Sequence, residues 1–146
     1  MRRAVALIVL TGVLAASSAS ARTTATATVK VAKTRLGTIL VDSRGRTLYL
    51  FTLDTKNFIT CVTGYSNCPG TWPPYLTTGN PIPGAGVDAG LLGTVHRTRP
   101  AGIQVTYNGH PLYRYAYDKK PGDLSGQGFI NDWYVVSPKG SAIKKK

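Results

Sequence analysis

The sequence predicts an all-β fold, in which one small domain is built from two related β-hairpin repeats and a long Gly/Pro-rich disulfide loop. Three observations support this prediction. The 146 residues include eight Tyr, 16 Gly and one Met but no Glu, a composition that favours strands and turns over a helical bundle. A strand-turn-strand pattern occurs twice, 64 residues apart. The segment between the two copies is rich in Gly and Pro and contains the two cysteines.

The chain begins with a segment typical of a secretory signal peptide. Two arginines precede an apolar run over residues 4–16, and the small residues 19–21 match a cleavage site, so we expect cleavage after Ala21. The apolar run is shorter than the ~20 residues that a membrane-spanning helix needs. No cysteine lies near the cut to carry a lipid anchor. The sequence therefore predicts a secreted or extracytoplasmic protein without a transmembrane segment.

The mature chain is predicted to be strongly basic. Loss of the two leader arginines leaves 16 Lys and Arg against six Asp, a net charge of +10. Outside the cytoplasm, anionic wall polymers or acidic polysaccharides are better candidate partners for this charge than nucleic acid, which we do not expect. The alternative is a solvated surface that only keeps the protein soluble. Residues 139–146 end in three lysines and are predicted to form a mobile basic tail.

Cys61 and Cys68 are predicted to form a disulfide, because an even pair of cysteines in an exported chain is usually bridged. Closing so short a loop stabilises a fold by about 2–3 kcal/mol if the effect is one of chain entropy. The alternative is a redox or metal-binding pair, but two thiols without a neighbouring His make a poor metal site.

The first copy of the repeat is a predicted β-hairpin that follows a short N-terminal stretch. Residues 22–28 are small and polar, which indicates a flexible lead-in, and residues 29–34 alternate weakly as a first strand. The hairpin has strands at residues 38–41 and 46–53, with a turn between them. The folded domain as a whole is predicted to span residues 29–138.

The second copy is a predicted hairpin over residues 103–117, and its turn is an Asn-Gly pair, the strongest two-residue hairpin signal. Aligning Tyr49 with Tyr113 also aligns Val41 with Val105, without a gap. The repeat units span residues 36–54 and 100–118. We expect the two hairpins to pair about a pseudo-twofold axis and to share one core.

The remaining segments are predicted to be two loops and two strands. Residues 61–93 form a long ordered loop, to which Trp72 gives apolar surface for docking on the core. Residues 91–98 form a strand, and residues 119–128 form a second loop. A last strand begins at Trp133, which we expect in the core. No segment predicts an α-helix.

The pattern Y-x-[FY]-x-x-D ends the second strand of each copy. Its residues are Tyr49, Phe51 and Asp54 in the first copy and Tyr113, Tyr115 and Asp118 in the second. Alternation along a strand puts both aromatic rings of a copy on one face. Two interpretations are open: the rings are core and the Asp hold loops, or rings and carboxylates line a cleft that binds sugars or cations. Symmetry favours the first, because a catalytic carboxylate pair needs two distinct environments.

The motif and its context resemble the secreted-repeat family of bacterial exported proteins, often lipid-anchored, which carries tandem Y-x(4)-D motifs. The similar surroundings are the Cys loop running into Trp72-Pro73-Pro74, Gly109 with Pro111-Leu112, Gly122-Asp123, Gly126-Gln127-Gly128 and Trp133-Tyr134-Val135-Val136. The resemblance covers residues 36–137 and implies an exported repeat protein, without implying an activity. The chain departs from the family in lacking a lipid-attachment cysteine and in the spacing from Cys61 to Cys68 to Trp72.

The sequence predicts an exported, non-catalytic binding or structural module of the cell envelope or secretome, with no cofactor. One alternative is a small extracellular glycan hydrolase that uses Asp54 and Asp118 as its carboxylates. A second alternative is an extracytoplasmic metal-binding protein that uses His96 and His110, the two histidines of the chain. The ligand, the oligomeric state and the physiological process stay open at this level.

Overall fold

The protein is described by a computed structural model that covers residues 25–62 and 68–145. The covered part contains nine strands, two short 3-10 helices and no α-helix, which confirms the all-β prediction. The strands are β1 (Thr28–Thr34), β2 (Gly37–Val41), β3 (Tyr49–Phe51), β4 (Leu76–Thr77), β5 (Ile82–Pro83), β6 (Leu92–Thr98), β7 (Ala101–Tyr107), β8 (His110–Pro111) and β9 (Trp133–Val135). The 3-10 helices are Ala89–Leu91 and Phe129–Asn131.

Three small sheets form the domain. β1 pairs with β2 as an antiparallel hairpin and with β5 in parallel on its other edge. β6 and β7 form the corresponding hairpin of the second copy, and β4 and β8 lie against the other edge of β7. β3 pairs with β9, far along the chain. β4 and β5 fall inside the long loop, where the sequence did not predict strands.

The second strand of each predicted hairpin is shorter than expected. Residues 46–53 contain only the three-residue β3, and residues 110–117 contain only the two-residue β8. In the first copy a single bridge, Val41 to Thr47, joins the two sides of the turn. The longer hairpins therefore lie one strand earlier, at β1–β2 and β6–β7.

The gap-free alignment of the two copies is also corrected. Val41 is bridged to Thr47, and Thr106 pairs with Pro111. Thr47 and Pro111 lie 64 residues apart, whereas Val41 and Thr106 lie 65 apart. The turn of the first copy is therefore one residue longer than the turn of the second.

The one-residue shift decides which side chains face the core. A shift of one residue along a strand moves each side chain to the opposite face. With the shift, Leu40 corresponds to Val105, and both are fully buried in the same apolar cluster. Gly37 then corresponds to Gly102, and both have positive φ, at 113° and 159°. The shared backbone conformation supports the corrected alignment.

The core consists of two apolar clusters, one on each face of the segment that contains β3. Tyr49 and Phe51 belong to the first cluster, and Leu48 and Leu50 belong to the second. In the first cluster the rings of Trp72 and Trp133 stack at 3.8 Å, Trp133 stacks on Phe51 at 4.4 Å, and the edge of Tyr49 meets Trp72 at 5.4 Å. Both Trp are completely buried. The Gly/Pro loop thus supplies a central core residue.

The disulfide between Cys61 and Cys68 is confirmed, with a Cα–Cα distance of 5.4 Å. Both cysteines are buried in the first cluster, beside Trp72. The disulfide therefore fastens the start of the long loop to the core. Residues 63–67, inside the bridged loop, lie outside the described part of the chain.

Both ends of the domain extend beyond the predicted limits. The predicted signal peptide and residues 22–24 lie outside the described residues. The prediction of a flexible lead-in over residues 22–28 is wrong at its C-terminal end. Ala27 is buried, its carbonyl oxygen accepts a hydrogen bond from Ile82 N at 2.8 Å, and β1 follows it directly. Backbone pairing with β5 orders this stretch.

The basic tail is not mobile over its described part. Ala142 is bridged to Val136, and Ile143 N donates to Val135 O at 3.0 Å. The amide of Gln127 donates to the carbonyl oxygens of Ile143 and Lys145, at 2.6 and 2.8 Å. The tail returns along the last strand because Ile143 packs against the first apolar cluster.

Within the described residues, the structure contains no helix that is both long enough and apolar enough to span a membrane.

Candidate functional site

The two motif segments lie side by side at the centre of the domain. Tyr49 N donates to Tyr113 O and Tyr113 N donates to Tyr49 O, each at 2.9 Å. This reciprocal pair is an isolated antiparallel bridge. Because Tyr49 and Tyr113 occupy the same position in the two copies, the bridge marks the expected pseudo-twofold axis.

Each motif tyrosine binds the motif aspartate of the other copy. The Tyr49 hydroxyl donates to Asp118 Oδ2 at 2.6 Å, and the Tyr113 hydroxyl donates to Asp54 Oδ2 at 2.5 Å. The motif therefore works between copies and not within one. Its tyrosine and aspartate recur together because two crossed hydrogen bonds join the repeats.

The second oxygen of each carboxylate holds the loop that follows the motif. Asp54 Oδ1 accepts from Thr60 N at 2.6 Å and from Thr60 Oγ1 at 2.7 Å. Asp118 Oδ1 accepts from Ser125 N at 2.9 Å. Each aspartate thus links its own downstream loop to the strand of the other copy. We call these two groups, each a tyrosine, an aspartate and a loop residue, the crossed clamps.

The tyrosines and aspartates of the crossed clamps are sealed from solvent. Tyr49 and Tyr113 are completely buried, and Asp54 and Asp118 are 3% and 1% exposed. Burial, followed by the hydrogen bond to Asp118 and its charge, raises the pKa of Tyr49 far above its usual range. Burial and then the charge and hydrogen bond of Asp54 do the same to the pKa of Tyr113. Both phenols therefore keep their protons and act as permanent donors.

The second copy contains a buried arginine that the sequence analysis did not single out. Arg97 is 5% exposed and donates to Gln104 Oε1 at 2.5 Å, to Cys61 O at 2.9 Å and to Arg99 O at 2.7 Å. Burial lowers its pKa, while the nearby Tyr113 and Asp54 act in the opposite sense. Arg97 lies in a strand with exposed residues on either side, so no local pattern distinguishes it from a surface cation.

The structure separates the two candidate histidines. His96 pairs with Ile103 on one edge of β7, and His110 pairs with Tyr107 on the other edge. Their partners are four residues apart, about 13 Å along a strand. The described residues hold no group of three or more His, Cys, Asp or Glu placed to share a metal ion. The geometry does not favour the metal-binding alternative.

The geometry also does not favour the hydrolase alternative. Both oxygens of Asp54 and both oxygens of Asp118 accept hydrogen bonds within the core. A glycan hydrolase needs its two carboxyl groups to reach the glycosidic oxygen and the sugar ring. The crossed clamps leave no room for a substrate beside either carboxylate, since Asp118 is 1% exposed.

The two segments that carry the motif match a known sequence family. Residues 30–75 and 95–137 each match the sequence profile of a family described as a secreted repeat of unknown function. The chain belongs to this family of secreted repeats. The two matched segments together cover more than half of the 146 residues, and each contains one complete motif. A search of the curated proteins and a search of the solved structures found no match.

Within the described residues, the surface of this secreted repeat carries two basic depressions. The first, about 680 Å³, is lined by Arg44, Arg46 and Arg114; we call it the arginine cleft. The second is a shallow basic groove around Arg35, formed by two adjoining parts of about 390 and 320 Å³. Its other cations are Lys33, Lys144 and Lys145. The docked tail thus adds lysines to a defined surface.

Proposed function

We propose that this secreted repeat is a non-catalytic binding module, which its positive surface charge holds at anionic polymers outside the cell. One observation carries the proposal. The polar groups of the motif form hydrogen bonds inside the domain, whereas most of the domain's cations lie on its surface. The two tyrosines and two aspartates of the crossed clamps are buried and hydrogen-bonded to one another or to loops. The motif then stabilises the fold, and an anionic polymer would bind to the surface of the domain.

The distribution of charge supports this division. Among the described residues, a single salt bridge is formed, between Arg114 and Asp42. Most of the other described cations are exposed and form no salt bridge. Such a surface attracts an extended polyanion over a distance set by ionic strength, about 10 Å at 0.1 M salt.

The predicted route of export completes the proposal. A leader cleaved after Ala21 would release the mature chain outside the cytoplasm. The +10 charge of the mature chain would then be available for attachment to the envelope.

Co-sedimentation with isolated bacterial cell walls tests the proposal. The purified protein is mixed with walls at salt concentrations between 0.05 and ~1 M, over which the screening length falls from above 10 Å to about 3 Å. We expect most of the protein in the pellet at the lowest salt and in the supernatant at the highest. Failure to sediment at low salt, or sedimentation that salt does not change, contradicts the proposal.

Glycan turnover tests the non-catalytic part of the proposal against the hydrolase alternative. Wild-type protein, Asp54→Asn and Asp118→Asn are incubated with cell-wall glycan, and released reducing ends and melting temperatures are measured. We expect no turnover from any of the three and a lower melting temperature for both variants, because each loses a buried charged acceptor. Turnover by the wild type that a well-folded Asn variant lacks would show that the protein is an enzyme.

A further inference from the structure

We infer that the arginine cleft is a discrete site for closely spaced phosphate groups of an anionic polymer. The inference rests on the proposed function, because it assigns polymer binding to one place on the surface. The cleft has a volume of about 680 Å³ and is lined by three arginines, Arg44, Arg46 and Arg114, and by one acidic residue, Asp42. Its net charge is therefore positive even though it contains an acid.

Asp42 organises the cleft without neutralising it. This carboxylate is 1% exposed, and its Oδ1 accepts from the backbone N–H groups of Arg44 and Arg46, both at 2.9 Å. Its Oδ2 accepts from Arg114 Nε at 2.8 Å. One acid thus fixes the turn that carries two of the arginines and the orientation of the third, as a preorganised binding site requires.

Two arginines of the cleft keep unpaired side-chain donors. Arg46 Nε is buried and has no hydrogen-bond partner among the described residues, a state that costs free energy unless an acceptor is supplied. Asp123 interacts electrostatically with Arg46 but forms no salt bridge with it. Asp123 Oδ2 instead accepts hydrogen bonds from the backbone N–H groups of Lys119 and Lys120. No described acid forms a salt bridge with Arg44 or Arg46.

Arg114 is held in a geometry suited to anion binding. Its guanidinium lies 4.6 Å from the centre of the Tyr75 ring, and its side chain is 33% exposed. Stacking on an aromatic face and a single bond at Nε fix the plane of the guanidinium. A fixed plane reduces the entropy that the side chain loses when it binds an oxyanion.

The repeat shows that the scaffold does not require an arginine at this position. Tyr113 corresponds to Tyr49, so Arg114 corresponds to Leu50, which is 2% exposed and packs in the second apolar cluster. The crossed clamps are common to both copies, whereas the arginine cleft is formed once, by Arg44 and Arg46 of the first copy and Arg114 of the second. Its cations therefore serve something other than the twofold core.

The number of donors indicates phosphate as the ligand. Each guanidinium presents five N–H donors in a planar fork, and a single carboxylate is saturated by one or two forks. Asp42 already accepts one hydrogen bond from Arg114 Nε and two from backbone N–H groups, so it leaves most of the side-chain donors unpaired. Several phosphates in succession supply enough charge and oxygen atoms to engage the three guanidiniums together.

Binding of inorganic polyphosphate to the purified protein, measured by titration calorimetry, tests the inference. The variant R44Q/R46Q removes two positive charges from the cleft and retains the backbone bonds to Asp42. The control R99Q/K139Q removes two exposed charges that lie outside the arginine cleft and the basic groove. We expect at least about tenfold weaker binding for the cleft variant and less than about threefold for the control. Melting temperatures of both variants should match that of the wild type.

The outcomes separate the inference from the proposed function. Equal weakening by both variants would mean diffuse charge, which overturns the discrete site and leaves the proposed function intact. Tighter binding of polygalacturonate, a carboxylate polymer, than of polyphosphate would overturn phosphate as the ligand. Absence of polyphosphate binding by a wild type that still sediments with cell walls would overturn the inference alone, whereas failure to sediment overturns the proposed function.

Discussion

Replacing Tyr49 with Phe removes the hydroxyl that joins the first copy to Asp118 and leaves the aromatic ring in the core. Asp118 is 1% exposed and keeps one other donor, Ser125 N at 2.9 Å. A hydrogen bond to a buried charged group contributes about 1.5–3 kcal/mol. We therefore expect Tyr49→Phe to lower the free energy of unfolding at pH 7 by about 2–3 kcal/mol.

The same substitution changes how stability depends on pH. Burial and the neighbouring aspartates hold the pKa of Tyr49 and of Tyr113 well above the unfolded value near 10. Above pH 10 the unfolded chain loses protons that the folded chain keeps, so the stability that these two tyrosines contribute is constant below pH 10 and falls as pH rises further. Each tyrosine contributes a slope of about 1.4 kcal/mol per pH unit, or about 2.7 for the pair.

Tyr49→Phe removes the slope that Tyr49 contributes and leaves those of the other tyrosines, so the stabilities of variant and wild type should converge above pH 10. A deficit of about 2.5 kcal/mol at pH 7 becomes about 1 kcal/mol at pH 11. Urea unfolding followed by Trp fluorescence at pH 7, 9, 10, 10.5 and 11 measures both quantities. The control is Tyr117→Phe, because Tyr117 is 65% exposed. Parallel pH curves for Tyr49→Phe and wild type, or equal stabilities at pH 7, would refute the clamp reasoning.

Two further predictions concern the core and the disulfide. Gly126→Ala should cost about 1–3 kcal/mol in a melting experiment, because its Cβ would lie 2.7 Å from Trp72 Cη2 and 3.0 Å from the ring of Tyr115. Gly79→Ala, whose Cβ meets nothing within 4 Å, should melt like the wild type, and equal melting of the two variants would contradict the packing argument. Reducing the Cys61–Cys68 bond, which closes a loop with a sequence separation of 7, should lower stability by about 2–3 kcal/mol. Cell-wall sedimentation should persist after reduction, and its loss would place binding near the disulfide.

Local pattern was enough to predict much of the fold. Period-2 alternation correctly separated Tyr49 and Phe51 from Leu48 and Leu50, because a strand presents successive side chains to opposite faces. The spacing of the two motifs correctly predicted a central pseudo-twofold axis. The predictions of a mobile tail and of a gap-free alignment were wrong, because Ile143 and the one-residue longer turn of the first copy act through contacts that no local window contains.

The sequence by itself determined the strand content, the repeat, the disulfide and the excess of positive charge, since each depends on residue type and local order. Only the tertiary structure decided which residues of the chain bond to one another across the domain. The crossed clamps join residues 69 and 59 positions apart, and the arginine cleft brings Arg114 to an acid 72 positions away. Such pairs form because folding the whole chain buries polar groups that must find partners there, and a motif read along the chain does not show which partner lies across the axis.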